Sequence, residues 1–136
     1  MPFEIVPHTA DLAMKVWGQD LKKLAESVVQ GYVFLLTNPR KIGSSHSKEF
    51  KIAFSSPENL LVRLLNKIIY LFDVEGFVSK KAEISISQDS VSCKVLGEDY
   101  DKDKHVIRHC IKAATYGELE VVSENDSLTA TIILDD

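Results

Sequence analysis

Two stretches of this chain repeat their apolar residues every three to four positions, and most of what surrounds them repeats at every second position. That change of period constrains the fold more than any single residue does, because helices and half-buried strands bury different residue spacings. In the first stretch Leu21, Leu24, Ala25, Val28, Val29, Tyr32, Leu35 and Leu36 form one stripe, with Lys22, Lys23, Glu26 and Gln30 opposite. Asp20 is placed to cap the helix by accepting a bond from a free backbone N–H, and Asn38-Pro39 ends it. The second helix opens at Ser56-Pro57-Glu58, where a serine cap, a first-turn proline and an acidic group near the positive dipole end agree. Its stripe is Leu61, Leu64, Leu65, Ile68, Leu71 and Phe72. Leu60 and Ile69 widen it, so the second helix is expected to be the more buried of the two.

Elsewhere the alternation is strand-like: Phe3 and Ile5; Leu12, Met14 and Val16; Phe50, Ile52 and Phe54; Ala82, Ile84 and Ile86. Beyond Asp89-Ser90 the pattern resumes with Val91, Cys93 and Val95, which predicts a hairpin. Leu119 and Val121 are expected to pair with Leu128, Ala130, Ile132 and Leu134 across Glu124-Asn125-Asp126. Strand pair, helix, strand, helix and a run of strands spell an α+β domain over residues 1–136, with two helices packed on a largely antiparallel or mixed sheet. The segment from Thr37 to Ser47 is expected to be a mobile surface loop, and its Arg40-Lys41 pair is read as solvated.

Composition narrows the function. At 136 residues the chain can bury a core without disulfide staples. Twenty acidic against sixteen basic residues argue against a general polyanion binder, which clusters an excess of Lys and Arg. No apolar run is long enough to span a bilayer, the N-terminal residues lack signal-peptide character, and Cys93 and Cys110 read as free thiols in a reducing interior. A cytoplasmic address is the expectation.

The common catalytic signatures are absent: no GxGxxG, no Walker glycine loop, no GxSxG and no HExxH. His105 and His109 would share a face only on a helix, and the neighbouring strand pattern disfavours a zinc pair there. Two acidic features remain. His8-Thr9-Ala10-Asp11 lies between two strand-like runs, where the aspartate serves either a turn or a site. At the far end Ile132-Ile133-Leu134 runs into Asp135-Asp136, which is either a solvated tail or a cluster of carboxylates. If a strand held these oxygens against Asp11, the donors would suit a hard cation, with Ca²⁺ the first expectation and Mg²⁺ or Mn²⁺ the alternatives.

The order of several short motifs resembles the archease family. These are His8-Thr9-Ala10-Asp11, Val16-Trp17-Gly18, Leu60-Leu61, Leu71 through Phe77, Lys112-Ala113-Ala114-Thr115-Tyr116, Gly117 through Val121, and Ile133-Leu134-Asp135-Asp136. The resemblance implies a small α+β protein that is not itself an enzyme. It implies an accessory role for an RtcB-type RNA ligase in tRNA splicing or RNA repair, promoting guanylylation and turnover of the ligase. It also implies a divalent metal held by Asp11, Asp135 and Asp136, with His8 and Lys112 in supporting roles. Direct nucleic-acid binding of any strength and membrane association are not expected. The chain departs from the family pattern at Pro7, Cys110 and Gly117, where relatives commonly carry an acidic residue, a glutamate and a histidine. Two other functions fit the same residues: a metal-dependent phosphoester hydrolase using His8, and a chaperone-like modulator of nucleic-acid-modifying enzymes.

Overall fold

The computed structural model of the chain describes residues 2–6 and 12–136. Their order is β1 (Phe3–Val6), β2 (Leu12–Gly18), α1 (Leu21–Leu36), a 3-10 turn (Pro39–Lys41), β3 (His46–Ala53) and α2 (Pro57–Asp73). Five strands follow: β4 (Phe77–Ile86), β5 (Ser90–Asp99), β6 (Ala113–Thr115), β7 (Val122–Glu124) and β8 (Ser127–Asp135). The α+β architecture read from the periodicity is the one observed. The strands divide into two sheets, one ordered β1-β2-β8-β6 with β7 also on β8, the other ordered β3-β5-β4. Every strand pairing among the described residues is antiparallel.

Both helix caps form as the sequence requires. Asp20 Oδ1 accepts from Lys23 N at 2.8 Å, and Ser56 Oγ accepts from Asn59 N at 3.0 Å. The relative burial of the helices is the reverse of the expectation: ten of sixteen residues are buried in α1 and eight of seventeen in α2. The reason is position: α1 lies across β4 of one sheet and β1, β2 and β8 of the other, whereas α2 meets the first sheet at the three-residue strand β6. Gly31 makes this approach possible, because a Cβ there would run into the side chain of Met14.

In the first sheet β2 and β8 bury matching faces. Leu12 pairs with Leu134, Met14 with Ile132 and Val16 with Ala130. In the second sheet Ile52 and Val91, then Ile84 and Cys93, meet across the inner face. On its outer face Lys94 stands opposite both Glu49 and Glu83, a charged ladder that suits solvent.

Two expectations need correction. The partner of β8 after the turn is Val122–Glu124, not Leu119 and Val121. Asn125 and Asp126 both take positive φ (51° and 63°), the backbone of a tight two-residue hairpin turn, and this fixes the register two residues later. Leu119 and Val121 instead lie on a loop, tied by Leu119 N to Tyr116 O and by Val121 N to the Glu58 carboxylate. The segment from Thr37 is also anchored rather than free. Thr37 Oγ1 donates to Val106 O, Gly43 N to Glu98, and Lys80 Nζ to Ile42 O, while Ile42 itself is buried.

The two thiols sit in opposite environments. Cys93 is buried in β5, and burial pushes its pKa up to about 12, whereas Cys110 is exposed. A maleimide at pH 8 is therefore expected to label one thiol in the native protein and two after denaturation. Native labelling should disappear in Cys110→Ser. Two reactive thiols in the native state would contradict the burial of Cys93.

Candidate functional site

The acidic end of β8 is built by three neighbours. On one side β2 pairs with it as far as Leu12 opposite Leu134. On the other side β6 pairs Ala113 with Asp135, and Lys112 N donates to Asp135 O at 2.7 Å. Asn66 of α2 braces β6 in turn: its side chain accepts from Ala114 N at 2.7 Å and donates to Ala114 O at 3.3 Å. Thus Asp135 does not fray; it is the last paired residue of a strand held from both sides. Leu134 is fully buried, and the alternation of the strand then brings Asp135 to the exposed surface.

Around these carboxylates the structure adds a residue that the sequence did not single out for this place. His109 Nδ1 lies 3.6 Å from Asp136 Oδ2, and both side chains are partly exposed. The segment carrying His109 is fixed one residue earlier, where Arg108 N donates to Leu36 O at 2.7 Å and its guanidinium reaches Phe34 O at 3.2 Å. Lys112 is exposed beside Asp135. His8 and Asp11, proposed as supporting residue and ligand, lie outside the described residues. Among the described residues no group of three or more His, Cys, Asp and Glu side chains gathers as a metal site. The donors that are described, Asp135 and Asp136, are hard oxygens of the kind that calcium, magnesium and manganese accept.

His105 and His109 part company. His105 is buried and has both ring nitrogens engaged: Nδ1 accepts from Asp101 N at 3.0 Å, so Nε2 carries the proton given to Glu98 Oε2 at 2.8 Å. Glu98 also accepts from Gly43 N at 2.7 Å and from Lys104 Nζ at 2.8 Å. Those bonds, the Gly43 amide first and Lys104 and His105 after it, hold its carboxyl down at about 2. The network ties residues 43, 98 and 104–105 together and leaves His105 no lone pair for a metal.

Comparison with known proteins fixes the family. The model of the archease protein family matches residues 3–135, nearly the whole chain. This chain belongs to the archease family. The archease of Sulfurisphaera tokodaii is 27% identical over 135 residues, covering 98% of this chain and 97% of its own. That of Sulfolobus acidocaldarius is 30% identical over 126 residues, with 91% and 90% covered. Among solved structures, protein 1598 of Methanobacterium thermoautotrophicum superposes with a TM-score of 0.83 at 24% identity, covering 99% of each chain. An archease of Thermotoga maritima, described as a possible chaperone, superposes with a TM-score of 0.70 at 20% identity, covering 96% of this chain and 94% of its own. These two likenesses establish the archease fold, and the family match spans both Asp11 and Asp135. No helix among the described residues is long and apolar enough to cross a membrane.

Proposed function

We propose that this protein activates an RtcB-type RNA ligase in tRNA splicing or RNA repair, promoting ligase guanylylation and turnover through an acidic metal-binding end. One observation carries the site: β2 and β8 stay in register up to Leu12 opposite Leu134, the sequence neighbours of Asp11 and Asp135. Asp11 adjoins Leu12 in the sequence, and Asp135 and Asp136 follow Leu134. Their oxygens would hold a divalent cation, Ca²⁺ first and Mg²⁺ or Mn²⁺ otherwise, and that ion would supply positive charge for a phosphate at the docking surface. His109 and Lys112 border the carboxylates and would orient them or meet the same phosphate. The role proposed is non-catalytic, in keeping with the description of the Thermotoga maritima archease as a possible chaperone.

The test is guanylylation of the cognate ligase with and without this protein. Wild type is expected to stimulate the reaction, and Asp135→Ala or Asp11→Ala is expected to lose at least about tenfold of that stimulation. Calorimetric titration with Ca²⁺ and Mn²⁺ should show binding to wild type and none to the variants. Variants that stimulate as well as wild type would refute the acidic-end mechanism. A chaperone-like role, suggested by the description of the Thermotoga maritima protein, predicts suppression of ligase aggregation that survives both substitutions.

A further inference from the structure

The outer flank of α2 carries a groove of about 510 Å³ lined by Ile52, Val62, Arg63, Asn66, Lys67, Tyr70 and Tyr116. Its composition is unlike the rest of this acidic chain. Two cations face it, and among the described residues that line it there is no carboxylate. Glu75, whose carboxylate feels the charge of Lys67, is itself paired with Lys48 Nζ at 2.8 Å. The floor is apolar, with Val62 buried, and the walls are two tyrosines that are 45% (Tyr70) and 52% (Tyr116) exposed.

Three of the polar side chains in the groove are positioned. Tyr116 Oη accepts from Asn59 Nδ2 at 2.6 Å, which fixes the ring against the N-terminal half of α2. Lys67 Nζ sits 4.8 Å from the Tyr70 ring centroid and 5.8 Å from that of Phe50. Arg63 spends one N–H on Ala53 O at 3.0 Å, leaving the rest of its fork for another acceptor. Arg63, Lys67 and Tyr70 recur at helical spacing and share one face of α2. From Asn59, which holds Tyr116, to Tyr70 the helix rises about 16 Å. A strand of several nucleotides bridges that distance and a lone nucleotide does not.

We propose that this groove binds a short segment of single-stranded nucleic acid, with bases stacked on Tyr70 and Tyr116 and phosphates on Arg63 and Lys67. Exposed aromatic rings beside fixed cations are the combination that holds unpaired bases without reading their sequence. The net charge of −4 argues against a polyanion-coating surface and leaves room for one local site of two phosphate contacts. A proline-rich peptide also fits between tyrosines, but it offers no negative charge to Arg63 and Lys67. This inference stands apart from the ligase reading and uses none of the acidic end.

Fluorescence anisotropy of labelled eight-nucleotide oligoadenylate, as RNA and as DNA, tests it on the full-length protein. Binding is expected with at least one of the two, and it should weaken about sevenfold between 50 and 200 mM salt for two contacts on a single strand. Tyr70→Ala and Tyr116→Ala should each cost about fivefold or more, while Tyr70→Phe, which keeps the ring, should bind like wild type, and Tyr116→Phe, which keeps the ring but loses its bond to Asn59, should fall between wild type and Tyr116→Ala. Lys67→Gln combined with Arg63→Gln should remove the salt dependence. A duplex of the same sequence, with its bases already stacked, should not compete. No binding at 50 mM salt, binding indifferent to both alanine variants, or binding of a proline-rich peptide in place of both oligonucleotides would overturn the proposal.

Discussion

Gly97→Ala is expected to lower stability by about 3 kcal/mol or more and the melting midpoint by roughly 10 °C. Gly97 lies on β5 beside an irregularity in the β4–β5 register, between Ser79 and Lys81. A Cβ at Gly97 would collide with the carbonyl oxygen of Val78. That neighbour is backbone, held inside the sheet, so no side-chain rotation relieves the clash. The strand pair must separate or the bulge must be lost, and either change disturbs Phe77 and Val78, both fully buried. Gly117→Ala is the control, since a Cβ there would lie 3.7 Å from Thr115 Oγ1 and 3.8 Å from Ile133 Cδ1, ordinary contacts. Urea unfolding of the two variants distinguishes the cases. If Gly97→Ala unfolds with the midpoint of Gly117→Ala, the close approach of β4 to β5 is wrong.

Glu98→Gln is expected to cost about 2 kcal/mol at neutral pH and to flatten the acid limb of the stability profile. The carboxylate collects Gly43 N, Lys104 Nζ and His105 Nε2, and only 15% of its side chain is exposed. Glutamine keeps one oxygen for the Gly43 and His105 protons but turns an amide toward the lysine ammonium. In the folded protein the carboxyl titrates near 2, against an ordinary value of 4.5. A depressed carboxyl gives stability that is complete above the unfolded value and drains away as pH falls through the folded one. Wild type should therefore lose stability between about pH 4.5 and 2 more steeply than Glu98→Gln. Parallel denaturation curves for the two proteins over that range would show that Glu98 carries no such charge-dependent contribution. Glu98→Ala should be worse than Glu98→Gln at every pH, because it leaves the N–H groups of Gly43 and buried His105 unpaired.

Neither effect is visible in the sequence, and the reason is the same for both. Gly97 and Glu98 continue a strand whose apolar alternation ends at Val95; Gly97 meets Val78 on the neighbouring strand, and the partners of Glu98 include Gly43, 55 residues back, and His105, 7 ahead. What was legible is local. The caps at Asp20 and Ser56, the helical stripes and the β4–β5 hairpin are each specified by residues within a few positions of one another. The division into two sheets was not legible, because strands buried on one face show the same period whichever sheet they join. Likewise β6, three residues Ala-Ala-Thr, is too short to show a period and exists because β8 and Asn66 hold its backbone. At the candidate site the residues themselves marked Asp135 and Asp136 as either a solvated tail or a carboxylate cluster, and the family resemblance favoured the cluster. The position of His109 beside Asp136 depends on the irregular run 100–112 and on Arg108 fastening it to α1, a contact between residues far apart in the chain.

The strand β8 also sets the order in which the molecule can be assembled. Its register with β2 joins residues 12–18 to residues 128–134, a separation of more than a hundred positions. The β4–β5 hairpin and the helices close over short loops, and loop-closure entropy favours such contacts early. The β2–β8 pairing is among the contacts that close late, and the acidic end is made at its margin. A chain arrested with its second sheet formed and its first sheet open would be compact and well supplied with helix, yet it would present no site. A ligand that bound at Asp135 would therefore recognise a finished molecule and, by binding it alone, would draw the last folding step to completion.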